Sequence, residues 1–445
     1  MVLVTGNTVE GVVAYHSILR CGLTVLVLDR RCGPADMAHA LDLLPRALVI
    51  APRHERGRLL GRRDEAVLAL ESFGDGPPAE GRPPSEGGAP PEPDRDAPAL
   101  ILFTSGTTGR PKGVVHSLNT LTAGAANMAR ITSADHGSVL FLVSPLTSIA
   151  GIMQMHLAAD CQAALVLEDR FEPHRSLDRL NREGATVLGG APVIAERLLR
   201  SAQARGEDRI ALRTLALGGA MLPRPLLEWA TDRFGIEIAR VYGSSEAPNF
   251  TGSLPDDDRG RRLSDDGALM PGSEVRVGSV DHPQEGLLRG PGVFLGYADP
   301  EDNAAAVAEG WFRSGDLVEM NGDRLTVVGR LKDVVNRNGL KISLDEIDAA
   351  LVGLAGASEC AAFGVPDPTT GERLVVAVVA EPGEAIALED VIAHLLRGGT
   401  ARRKLPEELV VWDGPLPRTA SGKVVRPKVA SEASTKRSER AGSDP

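Results

Sequence analysis

The chain has 445 residues, which is too long for one ordinary hydrophobic core and predicts a large domain with a smaller one beside it. Hydrophobic residues make up 42% and charged residues 24%, as in globular proteins, and the net charge of -11 argues against a nucleic-acid-binding surface, which needs clustered Lys and Arg. The N-terminus lacks a basic stretch followed by an apolar one, and no apolar run approaches the length of a membrane span. We therefore expect neither nucleic-acid nor membrane partners.

The four cysteines give no sign of a disulfide framework or a zinc site. They are Cys21, Cys32, Cys161 and Cys360, and none of them stands in a C-x-x-C pair. We interpret them as free thiols, which predicts a cytoplasmic protein in a reducing compartment.

The first thirty residues follow a strand, helix, strand pattern. The apolar VLVTG precedes an amphipathic stretch that Asn7 opens and Cys21 and Gly22 close, and TVLVLD follows. Gly6 in the first turn and Asp29 at the end of the second strand would suit a nicotinamide dinucleotide site. The spacing G-x-G-x-x-G is absent, however, so we favour a structural βαβ unit.

The middle of the chain predicts an α/β fold for a large domain over residues 1–330. Residues 74–98 are so rich in Pro, Gly and acidic residues that we expect a flexible surface loop. From residue 99 onward, helical patterns alternate with short strands, which read ALILF, SVLFLV, AALVLE, TVLGG, TLALGG and ARVYG.

The pattern restarts near residue 331. A helix near 343–353, strands around CAAFGV and LVVAVVA, and a helix near 388–397 predict a small α+β C-terminal domain over residues 331–430. The polar residues 431–445 are expected to form a disordered tail.

One segment concentrates hydroxyls, glycines and a lysine directly after the strand ALILF. In TSGTTGRPKG, residues 104–113, backbone N–H groups, hydroxyls and an ammonium group are suited to phosphate oxygens, and glycines permit a close approach. The order G-x-x-x-x-G-K-[ST] is not met. We predict a phosphate-binding loop made by Thr104, Ser105, Gly106, Thr107, Thr108, Gly109 and Lys112.

This segment resembles the signature loop of the adenylate-forming (AMP-binding) superfamily, which includes acyl-CoA synthetases, adenylation domains of peptide synthetases and beetle luciferases. Further matches follow in the family's order across nearly all of residues 1–430. The resemblance implies that ATP and Mg²⁺ activate a small carboxylic acid as an acyl-adenylate with release of pyrophosphate. It also implies that coenzyme A, as the second substrate, then receives the acyl group on its thiol, and that the C-terminal domain is a mobile lid.

The resemblance assigns nucleotide contacts to two further segments. In VYGSSEAP, Tyr242 and Gly243 would lie against adenine, Ser245 would donate to phosphate, and Glu246 would help to hold Mg²⁺. In LALGGA, the glycine-rich turn along which adenine lies would be made by Gly218, Gly219 and Ala220.

Later segments resemble the family's ribose, hinge and lysine motifs. Asp316, in GWFRSGDLVEM, would accept hydrogen bonds from both ribose hydroxyls, and Arg330 would contact ribose or phosphate. Lys332 would be the hinge for rotation of the C-terminal domain, and Gly339 would approach the pantetheine tunnel afterwards. Lys423, in LPRTASGKVVR, would be the adenylation lysine and, with Glu246, Thr104 and Lys112, would complete the catalytic set.

The chain departs from the family's pattern in two places. The stretch before TSGTTG is shorter than usual, which could mean a compact natural variant, a wrongly assigned start or a less stable domain. In SPLTSIAG, Ser148 replaces the usual His or aromatic residue between the acyl pocket and the thiol tunnel, which makes the thiol step less certain than adenylation. We expect the acyl pocket to include Ser148, Gly189, Gly190, Met221 and Asn249.

The identity of the acid stays open at this point. His156 and Arg197 are the candidates for binding a second carboxylate. Two other functions also remain open: a ligase that passes the acyl group to an amine or a carrier protein, or that activates a small oxyacid, and a nucleotide sensor without catalysis.

Overall fold

The computed structural model describes residues 1–441 apart from 56, 58–66, 75–91, 105–110, 220–221, 223, 281, 339 and 419–423; side chains are described for these residues except 341 and 434–441. The strands in this part of the chain form three sheets. Two belong to the large domain and one to the C-terminal domain, so the predicted α/β fold with a small C-terminal domain is confirmed. Most of the predicted flexible loop at 74–98 lies outside the described residues.

The first sheet has the order β16-β6-β5-β2-β1-β3-β4. The predicted βαβ unit is confirmed, because β1 and β2 pair in parallel with Val4 opposite Leu28. β5 ends where the phosphate-loop segment begins, and β6 starts at the lysine near its end. These two strands pair antiparallel. The strands of this sheet are β1 (Val2–Thr5), β2 (Val25–Asp29), β3 (Val49–Ala51), β4 (Val67–Ala69), β5 (Pro98–Thr104), β6 (Lys112–Ser117) and β16 (Gly296–Tyr297).

The second sheet contains a run of parallel strands in the order β8-β7-β9-β10-β11, and its antiparallel half continues through β12, β13, β19, β18, β15 and β14, with β17 beside β18. Its strands are β7 (Val139–Leu142), β8 (Ala164–Leu167), β9 (Val187–Gly190), β10 (Thr214–Gly218), β11 (Glu237–Tyr242), β12 (Thr251–Gly252), β13 (Ala268–Leu269), β14 (Glu274–Val277), β15 (Glu285–Arg289), β17 (Val307–Ala308), β18 (Trp311–Asn321) and β19 (Arg324–Arg330).

The third sheet belongs to the C-terminal domain and starts four residues after β19 ends. It consists of β20 (Val334–Arg337), β21 (Leu340–Ser343), β22 (Ala357–Asp367), β23 (Gly371–Ala380) and β24 (Glu408–Val411). β23 is the central strand of this sheet and forms a long antiparallel hairpin with β22. The hairpin matches the strand pair predicted from CAAFGV and LVVAVVA.

Helices cover the faces of the sheets. Those of the described chain are α1 (Val9–Arg20), α2 (Pro34–Leu43), α3 (Leu118–Thr132), α4 (Ile149–Cys161), α5 (Pro173–Arg182), α6 (Pro192–Ala204), α7 (Arg224–Phe234), α8 (Arg259–Ser264), α9 (Pro300–Ala306), α10 (Leu344–Leu351), α11 (Leu388–Arg397) and α12 (Arg426–Ala441). The pair α3 and α4 lies between the two large sheets, since Leu121 and Ile152 pack with the first sheet while Ile131 and Leu157 pack with the second. This pair therefore fixes the position of one sheet against the other.

The start of α1 differs from the prediction. Thr8, not Asn7, is the N-cap, and its hydroxyl accepts from Gly11 N at 3.1 Å. The Asn7 side chain crosses to the second sheet instead, where its Nδ2 donates to Glu168 O at 3.0 Å and its Oδ1 accepts from Leu146 N at 2.8 Å. Asn7 thus ties the two large sheets together.

The last helix, from Arg426 to Ala441, includes the first part of the segment for which the composition predicted a disordered tail. Val429 and Ala433, one helical turn apart, are buried against the sheet of the C-terminal domain, in the same cluster as Phe363 and Trp412. The disordered tail stays a prediction.

No helix in the described part of the chain is both long and apolar enough to cross a bilayer.

Candidate active site

Three predicted nucleotide contacts form one hydrogen-bonded group where the two halves of the second sheet meet. Tyr242 ends β11, while Asp316 in β18 and Arg330 at the end of β19 are directly opposite each other in an antiparallel pair. The Tyr242 phenol donates to Asp316 Oδ2 at 2.9 Å, and Arg330 Nε lies 3.0 Å from Oδ1. Each carboxylate oxygen therefore already has one donor.

Burial dominates the electrostatics of this group. Asp316 is only 5% exposed, and burial raises the pKa of its carboxyl although Arg330 and the Tyr242 hydroxyl act in the opposite direction. Burial, followed by the charge of Asp316, also raises the pKa of Tyr242 well above its usual value, so the phenol keeps its proton and remains a donor. The arrangement suits a carboxylate that must accept hydrogen bonds from a diol.

A second group holds the carboxylate of Glu246. Its Oε1 accepts from the Tyr297 hydroxyl at 2.8 Å, and its backbone oxygen accepts from Phe294 N at 2.7 Å. Just before it, the backbone oxygen of Ser245 lies 2.7 Å from Nε2 of the fully buried His116. Strands from both large sheets thus converge on the segment that begins at Tyr242.

The lysine at the end of the phosphate-loop segment is already paired. Lys112, opposite Thr104 in the β5–β6 pair, places its Nζ 2.9 Å from Asp302 Oδ1 and 4.9 Å from the centre of the Tyr297 ring. Tyr297 therefore touches both Lys112 and Glu246. The intervening residues Ser105, Gly106, Thr107, Thr108 and Gly109 lie outside the described residues.

The glycines after β10 and β11 are required by close backbone approaches. A Cβ at Gly218 would lie 2.3 Å from Val241 O, and one at Gly243 would lie 2.6 Å from Ala247 O. Gly219 has a φ of +76° and is exposed, and no described residue lies within 4 Å of its Cβ position. An exposed turn at the end of the strand beside Tyr242 fits a nucleoside; Ala220, the next residue, is not described.

The residues predicted for magnesium fit that ion. In the described chain no three His, Cys, Asp or Glu side chains converge on one point. A Mg²⁺ ion that arrives bound to triphosphate needs only one or two protein carboxylates and keeps several waters. Glu246, held by the Tyr297 hydroxyl, meets this requirement.

Ser148 has a structural task in the turn before α4. It is the N-cap of that helix: its Oγ accepts from Gly151 N at 3.3 Å and donates to Pro145 O at 2.7 Å. Gly151 is required here, because a Cβ on it would lie 2.1 Å from Pro145 O. The hydroxyl that replaces the family's larger side chain is thus engaged by the backbone of its own turn.

Gly189 and Gly190 end β9, next to β10, and Met221 lies outside the described residues. A Cβ at Gly189 would come within 3.1 Å of the Gln154 Cδ, which is a tight contact, and Gly190 has a φ of +150°, which favours glycine. Asn249 also has a positive φ, and its Nδ2 donates to Gly124 O at 2.9 Å. Asn249 therefore fixes a turn against α3.

Neither candidate for a second carboxylate is suitably placed. His156 lies 2.9 Å from the Tyr15 hydroxyl, and burial together with His16 lowers the pKa of His156 to about 3, so it carries no charge at neutral pH. Arg197 is exposed on α6, where its guanidinium lies 5.7 Å from the centre of the Phe171 ring. A neutral His156 whose ring nitrogen already contacts the Tyr15 hydroxyl offers no positive charge to a second carboxylate.

Lys332 lies between the domains. It is exposed in the turn that separates the last strand of the large domain, ending at Arg330, from the first strand of the C-terminal domain, starting at Val334. Its hinge role stays a prediction. Gly339 and Lys423 lie outside the described residues.

Sequence reasoning missed Tyr297, Asp302, His116 and Gln154. Tyr297 and Asp302 stand in GYADPED, at the start of a helix that begins with Pro300. The available signal was the glycine and the aromatic residue that precede this helix. His116 follows the apolar pair VV in the strand KGVVHS, and Gln154 stands between two methionines in the helix segment IAGIMQMHL, so both were visible as polar residues beside apolar ones.

The fold and the arrangement of these side chains are those of a two-domain, ATP-dependent ligase. A family model described as "AMP-binding enzyme" matches residues 1–298, and one described as "AMP-binding enzyme C-terminal domain" matches residues 346–423. The chain belongs to this family, and it is an AMP-forming acid–thiol ligase of the acyl-CoA synthetase type.

Relatives and solved structures agree with this assignment. The chain is 32% identical to the 3-[(3aS,4S,7aS)-7a-methyl-1,5-dioxo-octahydro-1H-inden-4-yl]propanoyl:CoA ligase of Rhodococcus jostii, over 94% of this chain and 86% of the relative. It resembles ATP-bound MatB from Rhodopseudomonas palustris at 25% identity and a TM-score of 0.84, over 97% and 88% of the two chains. It also resembles the amide bond synthetase McbA from Marinactinospora thermotolerans at 25% identity and a TM-score of 0.83, over 97% and 89%.

Proposed function

We propose that this site joins a carboxylic acid to AMP and then moves the acyl group to coenzyme A, with the roles given below. The observation that carries the assignment of roles is the group of Tyr242, Asp316 and Arg330 beside the exposed turn at Gly219. It offers an aromatic face to a base, a buried carboxylate to ribose hydroxyls and a guanidinium to phosphate.

In the first step, a carboxylate oxygen of the acid attacks the α-phosphorus of ATP. The new bond joins that oxygen to phosphorus, the bond between the α-phosphorus and its bridging oxygen breaks, and pyrophosphate leaves with the electron pair. Thr104, the loop after it and Lys112 hold the phosphates, Glu246 holds the magnesium ion, and Lys423 lies against the reacting anions. Bound magnesium neutralises phosphate charge.

In the second step, the thiol sulfur of coenzyme A attacks the acyl carbon of the mixed anhydride and AMP leaves, while the thiol proton passes to solvent. We assign the hinge for the change between steps to Lys332, since it stands exposed between the two domains, and the approach to the thiol to Gly339. The acyl pocket is assigned to the ends of β9 and β10 with Met221, and to the turn that Ser148 caps.

One observation favours testing an acceptor of the acyl group other than coenzyme A. Ser148 is small and its hydroxyl is engaged in the helix cap, so the usual large side chain between the acyl pocket and the thiol tunnel is missing. The likeness to an amide bond synthetase makes an amine the first alternative to coenzyme A, and a carrier-protein thiol the next.

The cysteines support a cytoplasmic location. None of Cys21, Cys32, Cys161 and Cys360 forms a disulfide bond. Cysteines without disulfide bonds persist most readily where thiols are kept reduced.

The roles of Lys423 and of the hinge are tested by measuring the two steps separately. Lys423→Ala should abolish formation of acyl-AMP from ATP and acid, because it removes the ammonium group that neutralises the reacting anions, yet spare acyl-CoA formation from supplied acyl-AMP. Lys428→Ala, at an exposed lysine of α12, is the control and should affect neither step. Equal loss of both steps in Lys423→Ala would contradict the domain rotation.

A further inference from the structure

His116 is a fully buried histidine whose two ring nitrogens both have partners. It lies in β6, the strand that Lys112 begins. Its Nε2 lies 2.7 Å from Ser245 O, and its Nδ1 lies 3.0 Å from Thr120 Oγ1. Because a carbonyl oxygen accepts but cannot donate, Nε2 must carry a proton and donate it to Ser245 O. The ring therefore has one defined orientation.

A neutral ring suits both contacts of His116. Burial lowers its pKa, although the hydrogen bond with Ser245 O and the charge of Glu246 act in the opposite direction. A neutral ring with its proton on Nε2 has Nδ1 as an acceptor, and the Thr120 hydroxyl beside it is a donor. Since Thr120 lies in the first turn of α3, the helix that follows β6 orients the ring.

Three consecutive backbone oxygens in the segment 244–247 have donors. The oxygen of Ser245 accepts from the His116 ring, and that of Glu246 accepts from Phe294 N at 2.7 Å. The oxygen of the last residue accepts from the first N–H of the same segment at 3.1 Å. Of these three donors, His116 is the side chain, so a substitution there removes one contact and leaves the segment's own residues unchanged.

We infer that His116 is a positioning residue for adenylation, whose Nε2 proton holds Ser245 O and thereby fixes the Ser245 hydroxyl and the Glu246 carboxylate for phosphate and magnesium. The inference rests on the proposed function and deepens it. Through this contact the first sheet, which carries Lys112 in the same strand, is joined to the segment that follows β11 of the second sheet. Both ring nitrogens are engaged, so His116 acts through Ser245 and not by contact with a substrate.

Two amide variants separate the donor at Nε2 from the polarity of the ring. In His116→Gln, the amide nitrogen is as many bonds from Cβ as Nε2 of histidine, so it still donates to Ser245 O. In His116→Asn, the shorter amide takes the place of Nδ1, so it contacts Thr120 but leaves Ser245 O without this donor. The two variants are matched, because both replace the ring by a neutral amide.

The first measurement is nucleotide binding, which needs no acid. Calorimetry gives the affinity for α,β-methylene-ATP, which cannot release pyrophosphate, with and without magnesium. The ratio of these two affinities is the magnesium gain. In His116→Gln the magnesium gain should stay within about 3-fold of the native value, since the donor is retained. In His116→Asn it should fall by about 10-fold or more, since the Glu246 carboxylate is no longer held for the metal.

The second measurement compares the two steps. Formation of acyl-AMP is followed with benzoate, phenylacetate, phenylpropanoate and octanoate, and kcat/KM for Mg-ATP should fall by about 10-fold or more in His116→Asn. Formation of acyl-CoA from supplied acyl-AMP involves neither ATP nor pyrophosphate, so it should be unchanged, whereas a general loss of structure would reduce both steps. His394→Asn is the control: it removes a similar contact, between Nε2 and Ala350 O at 3.0 Å, in the C-terminal domain, and should alter neither measurement.

A native magnesium gain in His116→Asn, equal loss of both steps, or a His116→Gln as impaired as His116→Asn would overturn the inference. If His116→Asn does not fold, Thr120→Val decides. It keeps the ring but removes the hydroxyl beside Nδ1, so the magnesium gain should fall by about 2- to 5-fold, and an unchanged gain would overturn the inference. Failure of the native enzyme to give acyl-AMP from any acid would instead contradict the proposed function.

Discussion

The Tyr242 phenol donates a 2.9 Å hydrogen bond to Asp316 Oδ2 although 74 positions separate the two residues in the chain. The contact joins the parallel half of the second sheet to its antiparallel half, since Tyr242 ends β11 and Asp316 lies in β18. It fixes one carboxylate oxygen while Arg330 lies beside the other. The carboxylate that we propose for the ribose hydroxyls is therefore held in place by the protein's own side chains.

Asp316→Asn should raise the KM for ATP by about 10- to 100-fold, because it removes the charged acceptor for the ribose hydroxyls and leaves the Arg330 guanidinium without its counter-ion. Tyr242→Phe keeps the aromatic ring and removes only one donor, so its effect should be a few-fold. Steady-state pyrophosphate release over a range of ATP concentrations measures both. A larger effect of Tyr242→Phe than of Asp316→Asn would contradict the assigned roles.

Tyr297→Phe should weaken the use of magnesium. The change removes the hydroxyl that donates to Glu246 Oε1 at 2.8 Å but keeps the ring beside Lys112. A lost hydrogen bond to a charged group costs about 1.5–3 kcal/mol, so kcat/KM for Mg-ATP should fall by about 10-fold or more. Adenylation is measured as a function of magnesium concentration.

Tyr15→Phe is the matched control for that experiment, because it also removes a tyrosine hydroxyl, in this case one that lies 2.9 Å from His156 and away from the nucleotide side. Its magnesium dependence should equal that of the native enzyme. If Tyr297→Phe also had the magnesium dependence of the native enzyme, the Tyr297 hydroxyl would not be needed to hold Glu246 for the metal.

Asp302→Asn should lower the KM for ATP by about 2- to 5-fold, since Lys112 no longer has to leave an ion pair of 2.9 Å before it meets phosphate. Protein stability should change by less than about 1 kcal/mol, as is usual for a partly exposed pair. Glu301→Gln makes the same change of charge on the same helix, at an exposed position, and should leave the KM for ATP unaltered. A higher KM in Asp302→Asn would show that the ion pair positions Lys112 for catalysis.

Asp348 should make the free energy of unfolding depend on pH. Burial, with Asp345 nearby, raises the pKa of Asp348 to about 6 although Arg426 opposes it. The folded protein thus binds this proton more tightly than the unfolded chain, so the contribution is fully present below about pH 4 and is lost as the pH rises through about 6. The side chain is 27% exposed, which limits the expected loss to about 1–2 kcal/mol.

In denaturant unfolding between pH 4.5 and 7, the difference in free energy between Asp348→Asn and the native protein should shift in favour of the variant as the pH rises. The Asn side chain still accepts from Ala362 N, so this contact is retained. Asp367, near the end of β22, has a lowered pKa because Thr370 N donates to it, so its contribution is complete above about pH 4 and Asp367→Asn should show no pH dependence over this range. A pH-independent difference for Asp348→Asn would contradict the assignment.

Much of the fold follows from local patterns. The apolar runs before Gly190, Gly218 and Tyr242 predicted the parallel strands, and the ends of such strands meet at one edge, so motifs far apart in the chain come together there. The errors arose where a tertiary contact overrides a local rule. Asn7 is a good helix cap by type, yet its amide forms hydrogen bonds between the two sheets.

The contacts of the site were less predictable than its position. The role of Asp316 came from resemblance, since nothing local distinguishes it from other Gly-Asp turns. Tyr297 and Gln154 act through partners 51 and 35 positions away, and no spacing rule covers such distances.

Mass spectrometry of the native enzyme with Mg-ATP and a panel of acids, run with and without coenzyme A, tests the central claim most directly. We expect acyl-AMP and pyrophosphate when coenzyme A is absent, and acyl-CoA with AMP when it is present. ATP consumption that yields ADP and phosphate, with no acyl-AMP from any acid, would contradict it.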